Sequence, residues 1–306
     1  MNKAQTIGKT KRLVPRSQPA NQGARRVRSV LAHTLTGLCT LISVGLLVYL
    51  LGFLIVKGAG VISWEFLTSE APATNEPGGG IAASLYGTGL IVSLSVLMGV
   101  PLGILLGIYL AEVASATSVF ANIARMAVNT FTGIPSIIVG LFVYTLVVKS
   151  GGLSLGVGFS ALGGGIALAI IMIPILARTA EDVLRLVPGS IREAGLALGI
   201  PFWRVTLGVV LPAARAGIIT GGVLAVARVA GETAPLVLTA LGNEYINWNI
   251  SEPTDELTLR ILKYARSPFE TQHAHAYGAA FVLVMGVAIA ALLLRLATRG
   301  RGIKVQ

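Results

Sequence analysis

Arg228 and Glu232 are the only charged residues between Ala216 and Leu241. In an α-helix, positions i and i+4 share a face, so the two side chains are expected to project together. On insertion scales a charge at the centre of a membrane helix costs roughly 2.5–3.5 kcal/mol. Two readings are open. The pair could neutralise itself and hold the helix against a neighbour. It could instead line a translocation path, where the guanidinium offers an anion a fork of charge-assisted hydrogen bonds. Gly217, Gly221 and Ala225 continue the same stripe towards the start of the run, so one face is small and then charged. Counted from Ala216, Arg228 falls about 18 Å along the helix, a little past the middle of a ~30 Å hydrocarbon core.

The elements that must position this pair follow from composition. Of 306 residues, 54% are hydrophobic and 12% charged, where a soluble domain carries about a quarter charged residues. Mean hydropathy is +0.79. Apolar runs occur at about 34–56, 85–110, 126–148, 153–177, 216–241 and 277–294. Each is near or above the ~18 residues that a crossing needs. Because the bilayer offers the backbone no water, six helices are expected: an all-α, polytopic membrane protein. The 37 glycines suit close helix packing. Pro101, Pro135 and Pro174 are expected to bend spans two, three and four, and "KSGG" to close a tight hairpin between spans three and four.

Charge gives direction. With the N-terminus inside, 18 Lys and Arg fall on cytoplasmic segments and 5 on outer ones, which places both termini in the cytoplasm. Eight of the 13 acids fall on the outer side. The formal charge of +11 owes much to residues 1–31, which hold eight Lys and Arg and no acid. That position argues for a disordered cytoplasmic tail drawn to anionic lipid rather than for nucleic-acid binding. The apolar run 34–56 is too long for a signal peptide. The expected organisation is therefore a tail (1–31), a first span with its outer loop (32–79), and a body of the remaining spans (80–298). Cys39 is the single cysteine, so no intrachain disulfide can form. His273 and His275 lack a third ligand nearby, and no metal site is expected.

One sizeable cytoplasmic loop is expected, residues 178–215. Ser190 and Glu193 have the spacing of a capping box. The helix "IREAGLAL" should stop at Gly199, with a second helix starting near Pro201. Phe202 and Trp203 offer bulk for docking or anchorage at the membrane interface. Arg178 and Glu181, at i and i+3, are expected to pair and brace the loop, or to form an ordinary juxtamembrane salt bridge. The pattern E-A-G-x3-G-x9-V-x-L-P resembles the EAA motif of ABC-importer permeases. Glu193, Ala194, Gly199, Leu211 and Pro212 match it; Gly195 and Val209 depart conservatively. The resemblance implies a short coupling helix seated in a cleft of an ATP-hydrolysing subunit, with Ser190, Glu193, Ala194, Gly195, Gly199 and Pro201 as its coupling residues.

"ARVAGETAPLVLTALGN" (227–243) and "TGIPSIIVGLF" (132–142) are similar to segments of the PstA-type permeases of phosphate ABC importers, as are "PLGILLGIYLAE" (101–112) and "SPF" (267–269). The resemblance covers about residues 80–295, and the start of the cytoplasmic loop, Arg178-Thr179-x-Glu181-Asp182, favours PstA over the PstC-type partner. It implies a MetI-like fold in the bacterial inner membrane. It also implies a PstC-like second permease, two PstB-like ATP-binding subunits and an external PstS-like phosphate-binding protein. No cofactor is expected in this chain; ATP and Mg belong to the partner ATPase, since no GxxxxGK[ST] loop is present. Arg228 would then meet the passing phosphate. Glu232 would hold Arg228, or accept a hydrogen bond from the P–OH of monohydrogen phosphate. Another oxyanion, sulfate or molybdate, is the alternative substrate, and a non-transporting regulatory or scaffold protein the alternative class. The outer segments 57–84 and 242–276, with Trp64, Tyr245 and Trp248, are candidates for touching the binding protein.

Overall fold

A computed structural model of the chain describes residues 22–72, 78–115, 117–152 and 154–299. It separates into two units at Phe53. Among the described residues, the first consists of the greater part of helix α1 (Gln22–Gly58). Hydroxyls along it are satisfied within the helix: Thr36, Thr40 and Ser43 donate to the carbonyls of Ala32, Thr36 and Cys39 at 2.7, 2.8 and 2.9 Å. Such back-bonding removes the cost of a bare polar group in lipid. Residues 22–31 of the expected disordered tail are helical; the rest of that tail lies outside the described residues.

The second unit takes in the end of α1, then a short helix α2 (Trp64–Thr68), capped by Ser63, and continues into α3 (Ala82–Ile108), which ends in a π-helical turn, Tyr109–Val113. Then come α4 (Val119–Gly133), α5 (Ser136–Val143) with a π-helical extension to Val148, and α6 (Ala161–Arg185). The loop helix α7 (Gly189–Ala197) is followed by α8 (Phe202–Val205), a π-helical turn, and α9 (Leu211–Val229). The chain closes with α10 (Ala234–Val237), α11 (Leu257–Ala265) and α12 (Glu270–Arg299). Five helices are long and apolar enough to cross a membrane, and α4 with α5 makes a sixth candidate bent by 107°. The protein is all-helical and multi-pass.

In lipid there is little hydrophobic drive between helices, so close approach must do the work. Gly99, Gly103 and Gly107 of α3 lie against Met172, Leu176 and Ala180 of α6. Gly217 and Gly221 of α9 face Val183 and Thr179 of α6, and Ala225 is buried. Helix α6 is thus the central post.

Four expected boundaries are corrected. Span three is two helices, because Ile134, next to Pro135, is forced into extended backbone. Pro101 and Pro174, by contrast, sit inside continuous helices. Span four starts at Ala161, not 153: Gly151, Gly152, Gly156 and Gly158 all take positive φ, and Ser160 caps the helix through Gly163 N at 3.1 Å. The expected four-residue hairpin is therefore a longer loop, and α6 runs on to Arg185. Span five ends at Val229, not 241.

Candidate functional site

The end of α9 is written in "GETAP". Pro235 has no N–H to continue the ladder, and Gly231 gains little by staying helical. Ala230 N closes on Val226 O at 2.9 Å and Glu232 N on Val229 O at 3.1 Å. Arg228 therefore stands in the last turn of α9, where a cation suits the helix dipole, and Glu232 lies beyond the helix. The expectation of a shared face on one continuous helix is corrected: the helix stops between them. They still approach. Arg228 Nε is 3.9 Å from Glu232 Oε1, with side chains 61% and 18% exposed. That is an ion pair beyond hydrogen-bond length.

A cavity of about 230 Å³ opens at this pair. Its walls are the break between α4 and α5 (Gly133, Ile134, Pro135, Ser136), Ile171 and Ile175 of α6, and Arg228 and Glu232. The two broken helices meet here. At Gly140 of α5 an added Cβ would lie 2.6 Å from Pro235 Cα, so only glycine allows the two breaks to stack. The arrangement gives an anion one exposed cation, a loosely held carboxylate and a wall of bent backbone.

Breaking a helix strands carbonyls. The Glu232 carbonyl accepts from Thr258 Oγ1 at 3.2 Å, which joins the α9–α10 break to α11. Thr258 is fixed by Glu256, the cap of α11, whose carboxylate accepts from Thr258 N at 2.7 Å. Burial pushes the Glu256 carboxyl up to about 7, against the hydrogen bonds from Thr258 and Leu259. Beside it, burial also raises Asp255, although Arg260 Nη2 sits 2.7 Å from its carboxylate and Ser84 donates to it. Sequence reading found none of this group; its only trace is "TDE" before "LTLR", with Arg260 one turn on.

At the opposite end of α3 lies the loop predicted to couple. Helix α7 ends as its turn chemistry requires: Gly199 has φ +75° and its N–H reaches Leu196 O at 2.9 Å. Pro201 is the cap residue of α8 rather than its first turn. Gly195 is buried against Val205, whereas Ser190, Glu193 and Ala194 are exposed. The Ser190–Glu193 capping box does not form. Pro188 occupies the cap position, so Ser190 is already inside the helix, two residues too far along to cap it. Leu196, Leu198, Phe202 and Trp203 are exposed on this surface.

The predicted pairing of Arg178 with Glu181 is also corrected. Arg178 Nε donates to Asp182 at 3.1 Å and its Nη1 to Asn129 Oδ1 at 2.5 Å. Glu181 faces inwards and is buried, so it takes Arg125 at 2.9 Å and Arg185 at 2.6 Å. A further pair escaped sequence reading. Arg192 of α7 holds Glu112 in a two-pronged contact of 2.9 and 2.5 Å. That hydrogen-bonded carboxylate raises the Arg192 pKa in spite of burial. The one available signal was an acid, Glu112, closing the apolar run "LGIYLAE". Among the described residues, no three His, Cys, Asp or Glu converge as metal ligands.

Comparison with known proteins adds independent findings. Residues 103–300 match the family model described as the binding-protein-dependent transport system inner membrane component. The chain is 38% identical over 279 residues to the phosphate transport system permease protein PstA of Yersinia pestis, covering 91% of this chain and 92% of that one. It is 40% identical over 263 residues to the protein of the same name from Haemophilus influenzae, covering 86% and 91%. Among solved structures, an inward-facing MetNI methionine ABC transporter chain aligns with a TM-score of 0.53 at 18% identity, over 73% of this chain and 94% of that one. At that identity the likeness establishes the MetI-like fold.

Proposed function

The chain belongs to the PstA family of phosphate transport permeases, within the inner membrane components of binding-protein-dependent transport systems, and on that premise we propose how it moves inorganic phosphate into the bacterial cytoplasm. It is the permease component and not itself an ATPase. Both termini and α7 face the cytoplasm, and α11 faces outwards. The importer contains a second permease, two ATP-binding subunits and an external phosphate-binding protein. The exposed Leu196, Leu198, Phe202 and Trp203 beside Glu193 form the surface that an ATP-binding subunit grips, and Gly199 keeps that surface compact.

The observation that carries the substrate path is the loose Arg228–Glu232 contact, 3.9 Å apart on the wall of a cavity between two broken helices. A guanidinium bound firmly by its carboxylate has no donors to spare. One held at this distance keeps its fork open to phosphate, and Glu232 takes Arg228 back when phosphate leaves. Weak mutual binding suits a transporter, which must release what it captures. In the intact importer, Arg228→Gln should cut phosphate uptake at least tenfold, an order of magnitude set by the loss of one charged hydrogen-bond donor, while the complex assembles normally. Undiminished uptake by that assembled variant would remove Arg228 from the path. Competition by sulfate or molybdate in the wild-type importer tests the substrate separately.

A further inference from the structure

Arg192 does more than pair with Glu112. Its Nη1 donates to Val187 O at 2.6 Å and its Nη2 to Leu184 O at 2.9 Å, so it also closes the C-terminal end of α6. One guanidinium thereby ties together three elements: the π-helical turn that ends α3, the end of α6, and α7. The Glu112 side chain is 1% exposed and that of Arg192 21%. A carboxylate buried to this degree holds its counter-charge firmly, because separation would strand it away from water. The other attachment of α7 is apolar, with Ile191 set among Leu184, Val187 and Val205. Apolar contacts resist separation but are non-directional. A planar two-pronged contact fixes orientation as well.

The far end of α3 carries Ser84, which donates to Asp255, next to the α11 cap that holds the Glu232 carbonyl through Thr258. Helix α6 supplies Ile171 and Ile175 to the Arg228 cavity. Both helices gripped by Arg192 therefore lead to the substrate path.

We propose that Glu112 and Arg192 are positioning residues of energy coupling, making α3 and α6 move with α7 when an ATP-hydrolysing subunit displaces it. This rests on the transport reading above. The test uses the complete importer in proteoliposomes and reads phosphate moved per ATP hydrolysed. Glu112→Gln keeps the shape and removes the charge. It should lower that ratio at least fivefold while the KM for ATP stays constant. Arg192→Lys, with its charge kept and its fork lost, should lower the ratio by less. A merely structural role would reduce the amount of assembled importer without changing the ratio. An unchanged ratio in Glu112→Gln overturns the proposal and leaves the transport reading intact, whereas a wild-type importer that moves no phosphate overturns that reading instead. If the variants do not assemble, hydrogen exchange on the wild-type complex decides. Amides 109–113 and 189–195 should change protection in step on nucleotide binding, and opening of one segment without the other overturns the proposal.

Discussion

Two arginine–glutamate pairs stand in different parts of this bundle, and their contrast is instructive. Arg192 and Glu112 meet at 2.9 and 2.5 Å with the carboxylate sealed. Arg228 and Glu232 stand 3.9 Å apart with the arginine open to a cavity. The first pair is joined by tertiary packing between residues 80 positions apart. The second is four residues apart, and the helix break between them sets its distance. The same two side-chain types thus serve as a strut in one place and an open fork in the other. Burial and geometry separate the roles; residue type does not.

The contrast can be broken by treating the two arginines alike. Arg192→Met should have the largest effect on stability, a loss of about 3–5 kcal/mol, because it strands the buried Glu112 carboxylate. Thermal unfolding of the purified chain in detergent measures it, and a loss below about 1 kcal/mol would mean that the pair is not sealed. Next comes Gly199→Val, which forces a β-branched residue to φ +75°. It should cost roughly 1–2 kcal/mol locally and show as weaker co-purification of the ATP-binding subunit; full recovery of that subunit would show that the turn does not shape the docking surface. Arg228→Met should change stability by about 1 kcal/mol or less, as an open pair contributes little, yet still reduce uptake. A large stability loss there would make the second pair a strut like the first.

A further expected effect concerns the anchor of Glu232. Glu256 carries a carboxyl raised to about 7 in the folded chain, above its ordinary 4.5. The folded state therefore binds more protons between those values, and its stability falls as pH rises through that window, levelling off above it. Hydrogen exchange of the α11 amides should quicken between pH 5 and pH 8, beyond the intrinsic pH trend, and Glu256→Gln should flatten the difference. Protection that grows with pH would show that the capping hydrogen bonds, which favour the charged form, outweigh burial.

How much of this was legible beforehand differs from element to element. The Gly199 stop resides in a single residue whose backbone preference acts wherever it is placed; Gly231 and Pro235 are equally local, yet the apolar run 216–241 was read as one span and the break after Arg228 was missed. The Ser190–Glu193 spacing also has local meaning, yet Pro188 started the helix earlier and left that pattern without a cap to make. Arg178 faced two acids on its own helix, Glu181 and Asp182. Only burial of Glu181 against α4, where Arg125 waits, decided between them.

Composition and the apolar runs were enough to read an all-helical, multi-pass protein; the coupling motif added the resemblance to importer permeases, and "ARVAGETAPLVLTALGN" with "TGIPSIIVGLF" the resemblance to those of phosphate importers. Hydropathy and turn chemistry sum over neighbours in the chain, so they can be read along it. The stacking of the two breaks through Gly140 and Pro235, the grip of Thr258 on the Glu232 carbonyl, and the choice of Arg192 for Glu112 were decided by the tertiary structure alone. Each depends on which distant elements come within a few ångströms, and a charge or an orphan carbonyl away from water binds whatever partner that approach supplies.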